Sequence, residues 1–108
     1  MKGTHLGEFE ELVLLLVGSL HGNAYGVTIK NEIESKTNRR PSIGALHSAL
    51  NRLDEKGFIQ SEIGHGHEDR GGRRKKIYKL TESGREALVI SHDLRHSLFQ
   101  LIPNSSNL

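Results

Sequence analysis

The 108-residue chain contains no cysteine, no tryptophan and only two prolines, and its aromatic residues make up 5% of the total. Without cysteine it can form no disulfide framework, zinc finger or thiol nucleophile, and we expect a cytoplasmic protein. Its longest apolar run, Leu12–Val17, is far shorter than the roughly 20 residues of a membrane span. The N-terminus has a single lysine before its first acids, which is not the pattern of a secretory signal.

The motifs of common enzyme classes are also missing. There is no nucleophile elbow, and the glycine pair at 71–72 opens no helix, so it is not a phosphate-cradling loop. His92 and His96, four apart on a predicted helix, have a spacing that can bind zinc or nickel, and a dimer would double the ligands. His65 and His67 form a second pair in a loop. Neither pair has an obvious third ligand, so we expect no enzyme activity, no cofactor and no physiological metal.

The most informative segment is the basic stretch at residues 70–79, RGGRRKKIYK. It holds six cations and no acid; since the whole chain has a net charge of +2, the remaining residues sum to −4. The glycine pair permits a tight hairpin, and the alternating residues that follow predict a strand. A cationic hairpin tip suits a polyanionic partner. The alternative is a solvated charge run that only keeps the protein soluble.

Hydrophobic periodicity predicts four helices, at about residues 6–20, 24–36, 43–56 and 82–102, with a two-stranded wing at 58–80. Asn23, Ser42 and Thr81 are expected N-caps of the last three helices, and Gly57 is a natural stop for the third. The acids at the start of the first helix suit its dipole.

This order of elements predicts a mainly α protein with a small β-hairpin. We interpret it as a winged helix-turn-helix DNA-binding domain at 1–81, a C-terminal dimerisation helix at 82–102 and a disordered tail at 103–108. With 34% hydrophobic residues in a domain of this size, the core is thin, and a partner chain can bury the apolar surface that remains.

The third helix has one apolar face and one face of small and hydrogen-bonding residues. Small residues at its front allow close approach to a major groove, and polar ones further on reach base edges or phosphates. An ordinary amphipathic helix, whose outer face is polar by default, is the alternative. The predicted DNA-binding residues are Ser42, Gly44, Ala45, His47, Ser48, Asn51 and Arg52 around this helix, and Arg70, Arg73, Arg74 and Lys75 on the wing.

The last helix carries apolar residues at heptad-like spacing with no obvious core left to pack on. Burial against a second copy about a two-fold axis is the simplest solution. The first helix is apolar nearly all round, which fits a helix shared with a partner. The expected interface comprises Leu14, Leu15, Ala87, Leu88, Ser91, Leu94, Leu98 and Leu101. The alternative is a last helix folded back on its own domain.

Six segments occur in an order and spacing typical of one known family: LGEFE at 6–10, YG at 25–26, IGALHSALNRL at 43–53, EKGFI at 55–59, GGRRKKIY at 71–78 and LTESG at 80–84. Over residues 6–102 they resemble the PadR-like transcriptional regulators. The resemblance implies a bacterial, dimeric winged-helix repressor whose last helix dimerises with help from the partner's first helix. The short single C-terminal helix is similar to the compact branch of that family.

Two departures from the family pattern matter. Many members have tyrosine in the recognition helix where this chain has His47, which would make that contact sensitive to pH. Members that sense flat aromatic drugs use aromatic interface residues, whereas Asp93, Arg95 and His96 stand at the corresponding face here. The expected function is a repressor on a near-palindromic double-stranded operator, released by an unidentified small-molecule inducer. The rival hypothesis is a protein-interaction module whose basic wing binds an acidic partner.

Overall fold

The computed structural model describes residues 5–64 and 75–104. Within these ranges the elements are, in order, α1 (Glu8–Ser19), α2 (Gly26–Lys36), α3 (Ile43–Glu55), β1 (Ile59–Ile63), β2 (Lys76–Leu80) and α4 (Glu82–Gln100). The predicted fold class, helical with one small hairpin, is confirmed. The predicted wing tip, 65–73, and the end of the predicted tail, 105–108, lie outside the described residues.

The core lies where α1 packs against α2, α3 and β2. Its fully buried side chains are Leu14, Ile29, Ile33, Leu46, Leu50, Leu53, Ile59, Val13 and Val17. The prediction that Leu14 contacts a partner chain is therefore wrong. Neighbouring elements of the same chain surround α1 on several sides, so the side chain of Leu14 is already removed from solvent. Leu15, by contrast, remains 50% exposed.

The start of α2 differs from the prediction, because Tyr25 and not Asn23 is its N-cap. Ala24 is fully buried, and its carbonyl accepts a hydrogen bond from the N–H of Tyr78 at 2.8 Å. That contact with β2 keeps the segment before Tyr25 out of the helix. The Thr28 hydroxyl stabilises the turn by accepting from the Tyr25 N–H at 3.0 Å and donating to the Asn23 carbonyl at 2.6 Å.

The predicted N-caps of α3 and α4 and the predicted stop after α3 are confirmed, whereas α1 begins two residues later than predicted, at Glu8, and α4 ends two residues earlier, at Gln100. The Ser42 hydroxyl accepts from the Ala45 N–H and the Thr81 hydroxyl from the Gly84 N–H, each at 3.0 Å, as N-cap side chains do. Gly57 follows α3 with a φ of +79°, a conformation that glycine adopts without strain. The Thr81 hydroxyl also donates to the Gly57 carbonyl at 2.7 Å, so the end of α3 is hydrogen-bonded to the start of α4.

The hairpin is antiparallel, with Ile59 opposite Leu80 and Ile63 opposite Lys76. Ile59 and Tyr78 are buried against the core, whereas Ile63 is 59% exposed. This register anchors one end of the hairpin beneath α1 and directs the other away from the core.

Helix α4 packs against the core of its own domain over its first half only, and in its second half Arg95 binds Glu11 of α1. Gly84 is buried, and Ala87 and Leu88 are half-buried against the core, but every residue from His92 to Gln100 is exposed. The expectation that α4 has no core of its own to pack on is thus wrong for its first two turns. The second half of the helix contributes to an elongated molecule, 61 Å in its longest dimension.

We expect Gly84→Ala to destabilise the protein by about 1–3 kcal/mol, because the added methyl group overpacks a tight contact. A Cβ at this position would lie 2.2 Å from the Phe58 carbonyl oxygen and 2.9 Å from Leu80 Cδ1. Gly26→Ala is the matched control, since a Cβ there meets nothing within 4 Å. Urea unfolding followed by circular dichroism measures both variants; equal midpoints for the two would contradict the packing argument.

Candidate nucleic-acid interface

The structure brings the predicted residues of the third helix together on one exposed surface. The seven residues from Ser42 to Arg52 that the sequence analysis selected are all exposed, whereas Leu46, Ala49, Leu50 and Leu53 of the same helix are buried. We call this exposed surface the α3 face. Its first turn carries Gly44 and Ala45, and its later turns carry hydrogen-bonding side chains. An α-helix with this profile can enter a major groove closely at its N-terminal end.

One residue of the α3 face is held by a buried acid. Arg52 Nε donates to Glu10 Oε2 at 2.8 Å, and Lys56 Nζ lies 2.5 Å from Glu10 Oε1. Lys56 also donates to the His5 carbonyl at 2.5 Å. Glu10 is 8% exposed, the one charged residue buried among those the structure describes. This triad joins the start of α1 to the C-terminal half of α3.

The environment of Glu10 keeps its carboxyl group ionised. Burial alone would raise its pKa, but hydrogen bonds from Lys56 and Arg52, together with the charges of those two side chains, outweigh it and hold the pKa below the ordinary value of 4.5. The triad therefore contains two cations and one anion at neutral pH. Its net charge of +1 lies on the side of α3 that carries Arg52.

The other early acids of α1 also pair with separate parts of the molecule. Glu8 Oε2 accepts from a terminal nitrogen of Arg39 at 2.5 Å, in the turn between α2 and α3. Glu11 accepts from the Ser91 hydroxyl at 2.8 Å and from Arg95 Nε at 3.2 Å, both on α4. From the sequence these acids were predicted only to suit the helix dipole, and their tertiary partners were not predicted.

Two arginines that the sequence analysis did not select lie directly before the α3 face. Arg39 and Arg40 are exposed and, with Phe9, Pro41 and Ala45, line a shallow surface depression. Arg39 is partly neutralised by Glu8, while Arg40 stands two residues before the N-cap of α3. Their signal in the sequence was a cation pair in the turn that leads into the recognition helix. Such a position suits a DNA phosphate.

The wing is described at its root only. Arg70, Arg73 and Arg74 lie outside the described residues, so their role stays a prediction. Lys75 is half-buried; its Nζ donates to the Tyr25 hydroxyl at 3.1 Å and lies 4.3 Å from the centre of the Tyr25 ring. The cap of α2 thus holds the returning strand at the point where it leaves the wing. The prediction that Lys75 itself contacts DNA also stays open.

The second predicted surface, on α4, is divided between the chain's own core and solvent. Ala87, Leu88 and Ser91 are half-buried against the same chain, whereas Leu94, Leu98 and Leu101 are between 55% and 77% exposed. An open groove of about 550 Å³ runs along this side of the helix. We call it the α4 groove; its apolar lining includes Leu6, Phe58, Ala87, Ile90, Leu94 and Leu98.

The histidine pair on α4 is exposed and lies apart from these surfaces. The rings of His92 and His96 are nearly parallel, with centroids 6.0 Å apart. In the described parts of the chain, no group of three or more histidine, cysteine, aspartate or glutamate side chains could hold a metal ion. His65 and His67 lie outside those parts. None of the described helices is both long and apolar enough to cross a membrane.

Comparison with known proteins assigns the chain to a family. The sequence model described as the transcriptional regulator PadR-like family matches residues 13–89, from the middle of α1 into α4. The chain belongs to the PadR-like family. The comparison with curated proteins found no significant match.

Solved structures of PadR-like proteins share the fold. A PadR-like transcription factor from Bacteroides fragilis is 23% identical with a TM-score of 0.73, and the alignment covers 85% of this chain and 84% of that one. A PadR family regulator from Clostridium difficile is 25% identical with a TM-score of 0.66, covering 83% and 92%. One from Eggerthella lenta is 24% identical with a TM-score of 0.68, covering 86% and 80%.

Membership of the PadR-like family gives the α3 face a functional meaning. The family consists of transcriptional regulators, which implies that this chain is a DNA-binding regulator. Such proteins are generally not enzymes. In a winged helix-turn-helix regulator the third helix enters the major groove, and here that helix presents its selected residues to solvent.

The triad predicts a dependence of stability on pH. Because the pKa of Glu10 is lower in the folded chain than in the unfolded chain, its contribution is complete above the unfolded value and is lost as the pH falls through the folded value. We expect the free energy of unfolding to decrease from about pH 5 to about pH 3, and to decrease less steeply in Glu10→Gln. Urea unfolding at several pH values measures both slopes. Parallel curves would contradict the assignment.

Proposed function

We propose that this PadR-like chain is a sequence-specific repressor that binds a near-palindromic operator as a dimer in the cytoplasm. The observation that carries the proposal is the α3 face, on which a glycine and an alanine precede a row of exposed polar side chains. The opposite side of α3 is buried in the core through Leu46, Ala49, Leu50 and Leu53, so the face has a fixed orientation relative to the core. A rigid helix of this kind is what base recognition requires.

In this mode of binding, Ser48 and Asn51 contact base edges while Gly44 and Ala45 allow close approach. Arg40 and Arg52, together with the cations of the wing, contact phosphates. The two α3 helices of a dimer would lie about 34 Å apart, one turn of DNA. If roughly four phosphates are neutralised by each protomer, the logarithm of the binding constant falls with the logarithm of salt concentration with a slope of about −7.

The α4 groove supports the dimer. Leu94, Leu98 and Leu101 are exposed on a helix whose second half extends beyond the domain, and Leu15 of α1 is 50% exposed. A second copy related by a two-fold axis removes these apolar side chains from water and fixes the distance between the two α3 faces. Repression then follows when the dimer occupies a promoter.

Release from DNA requires that the dimer has a DNA-binding arrangement and a second arrangement that does not bind. An inducer must bind these two arrangements with different affinities. We expect such a ligand to bind along the α4 groove at the interface between the two copies, because a change there alters the angle between the two DNA-binding domains. Its apolar lining is bordered by Glu86 and Arg95. The inducer is therefore a small molecule with both apolar and polar parts.

Asn51→Ala should reduce the preference for the operator over other DNA, because a base contact is lost while phosphate contacts remain. We expect a loss of about 1–3 kcal/mol on the operator and little change on a shuffled duplex. Asn31→Ala, at an exposed asparagine of α2, is the matched control. Fluorescence anisotropy with the DNA upstream of the protein's own gene measures all three proteins.

Equal losses on the two duplexes would contradict a recognition role for Asn51. Arg73→Ala is the complementary change, expected to weaken binding to both duplexes alike and to make the salt dependence less steep. Weak and equal binding of the wild-type protein to both duplexes would instead favour the rival function, a module whose basic wing binds an acidic protein.

Leu94→Glu should convert the dimer into a monomer, because a carboxylate in the apolar α4 groove loses its hydration without gaining a partner. Sedimentation equilibrium should then give the 12.0 kDa mass of one chain, whereas we expect the wild type to give twice that mass. Val89→Glu is the matched control, since Val89 is similarly exposed at 50% but lies outside the groove. A Leu94→Glu protein that remains dimeric would exclude this surface.

A further inference from the structure

We propose that Glu10 is a positioning residue for DNA binding, whose carboxylate orients the guanidinium of Arg52 towards a phosphate of the DNA backbone. Glu10 itself touches no DNA. The inference rests on the proposed function, because it assumes that the α3 face meets a duplex. It adds a buried acid, on a different helix, to the groups that determine how that face binds.

The geometry leaves the outer end of Arg52 available. Among the described residues Arg52 forms one side-chain hydrogen bond, and it does so through Nε, the guanidinium nitrogen nearest the helix. The Arg52 side chain is 50% exposed, against 11% for Glu10. The two terminal nitrogens of a guanidinium form a planar fork that fits a phosphate with two parallel hydrogen bonds. Glu10 thus fixes the plane of the guanidinium group and leaves its two terminal nitrogens available to bind a phosphate.

Charge balance explains why an acid here does not repel DNA. Lys56 lies 2.5 Å from the other oxygen of Glu10, and its side chain is only 17% exposed. Lys56 is therefore placed to neutralise the carboxylate from inside the protein. The charge of Arg52 remains for the phosphate, so the triad presents +1 at the surface.

The position of Arg52 on α3 favours a phosphate over a base. Successive residues of an α-helix are 100° apart, so Arg52 projects about 80° from Gly44, whereas Asn51 projects within about 20° of it. Asn51 therefore lies on the centre line of the α3 face, where bases are met. Arg52 lies at its edge, on the side of α1, where a helix in the major groove meets the sugar-phosphate backbone.

A cycle of single and double variants tests this proposal. Glu10→Gln, Arg52→Ala and the double variant are compared with wild type by fluorescence anisotropy on operator and shuffled duplexes at several salt concentrations. Glu32→Gln is the matched control, because it removes one negative charge from a half-buried glutamate that pairs with Lys36 within α2. Circular dichroism and sedimentation establish that each variant is folded and has the wild-type oligomeric state.

If Glu10 acts through Arg52, Glu10→Gln should weaken binding about fivefold to tenfold on both duplexes, and the double variant should be no weaker than Arg52→Ala alone. The magnitude of the salt slope should also decrease by about 2, since each protomer of the dimer loses one phosphate contact. A role in folding alone would lower the active fraction of protein without changing that slope.

Two results would overturn the proposal. Unchanged or tighter binding by Glu10→Gln would mean that the carboxylate restrains Arg52 from reaching DNA. Losses that multiply in the double variant, with an unchanged slope, would mean that Glu10 acts independently of Arg52. The proposed function is judged separately, by whether wild-type protein prefers the operator to the shuffled duplex.

Lys56→Gln provides a second test should Glu10→Gln fail to fold. Without Lys56, the carboxylate of Glu10 is neutralised by Arg52 alone, so the attraction of Arg52 for phosphate should decrease. We expect a similar reduction of the salt slope, and no further reduction when Arg52→Ala is added. An unchanged slope in Lys56→Gln would contradict the charge balance on which the proposal depends.

Discussion

The carboxylates at the start of α1 connect this helix to the turn before α3, to α3 and to α4. Glu8 binds Arg39 in the turn before α3, Glu10 binds Arg52 and Lys56 of α3, and Glu11 binds Ser91 and Arg95 of α4. Beneath them the apolar residues of α1 form the middle of the core. Because adjacent residues of a helix point 100° apart, three acids in four positions can reach three different elements.

This arrangement relates the two surfaces that a dimeric regulator must coordinate. The α3 face and the first half of α4 are both attached to one helix, so neither can rotate without disturbing α1. The close approach of Gly84 to the Phe58 carbonyl adds a second attachment of α4, beside the hairpin. Beyond Ser91 every residue of the helix is exposed, although Arg95 still binds Glu11 of α1, and there the exposed leucines begin. In the proposed function, the α3 face would meet DNA and the exposed leucines of α4 would meet a second copy.

Local signals were enough to predict most of the elements. Ser42, Thr81 and Gly57 mark helix ends through contacts within a few residues of themselves, and those contacts are the ones observed. The start of α2 was predicted wrongly, since Ala24 pairs with Tyr78 of β2, a residue far along the chain. For the site, the exposed residues of α3 followed from helical periodicity, and Arg40 could have been selected from the cation pair that precedes this helix. The constraint on Arg52 could not be predicted, because it depends on Glu10, which packs beside α3 from another helix.

The sequence by itself determined the order of the elements, the caps of α3 and α4 and the polar side of α3, because each of these depends on residues close together in the chain. Only the tertiary structure decided which of the apolar positions on α1 are buried, leaving Leu15 in solvent and Leu14 in the core. It also decided the partner of Glu10, which lies 42 residues away in Arg52. Such a pairing depends on the angle at which two helices cross, and periodicity within either helix carries no information about that angle.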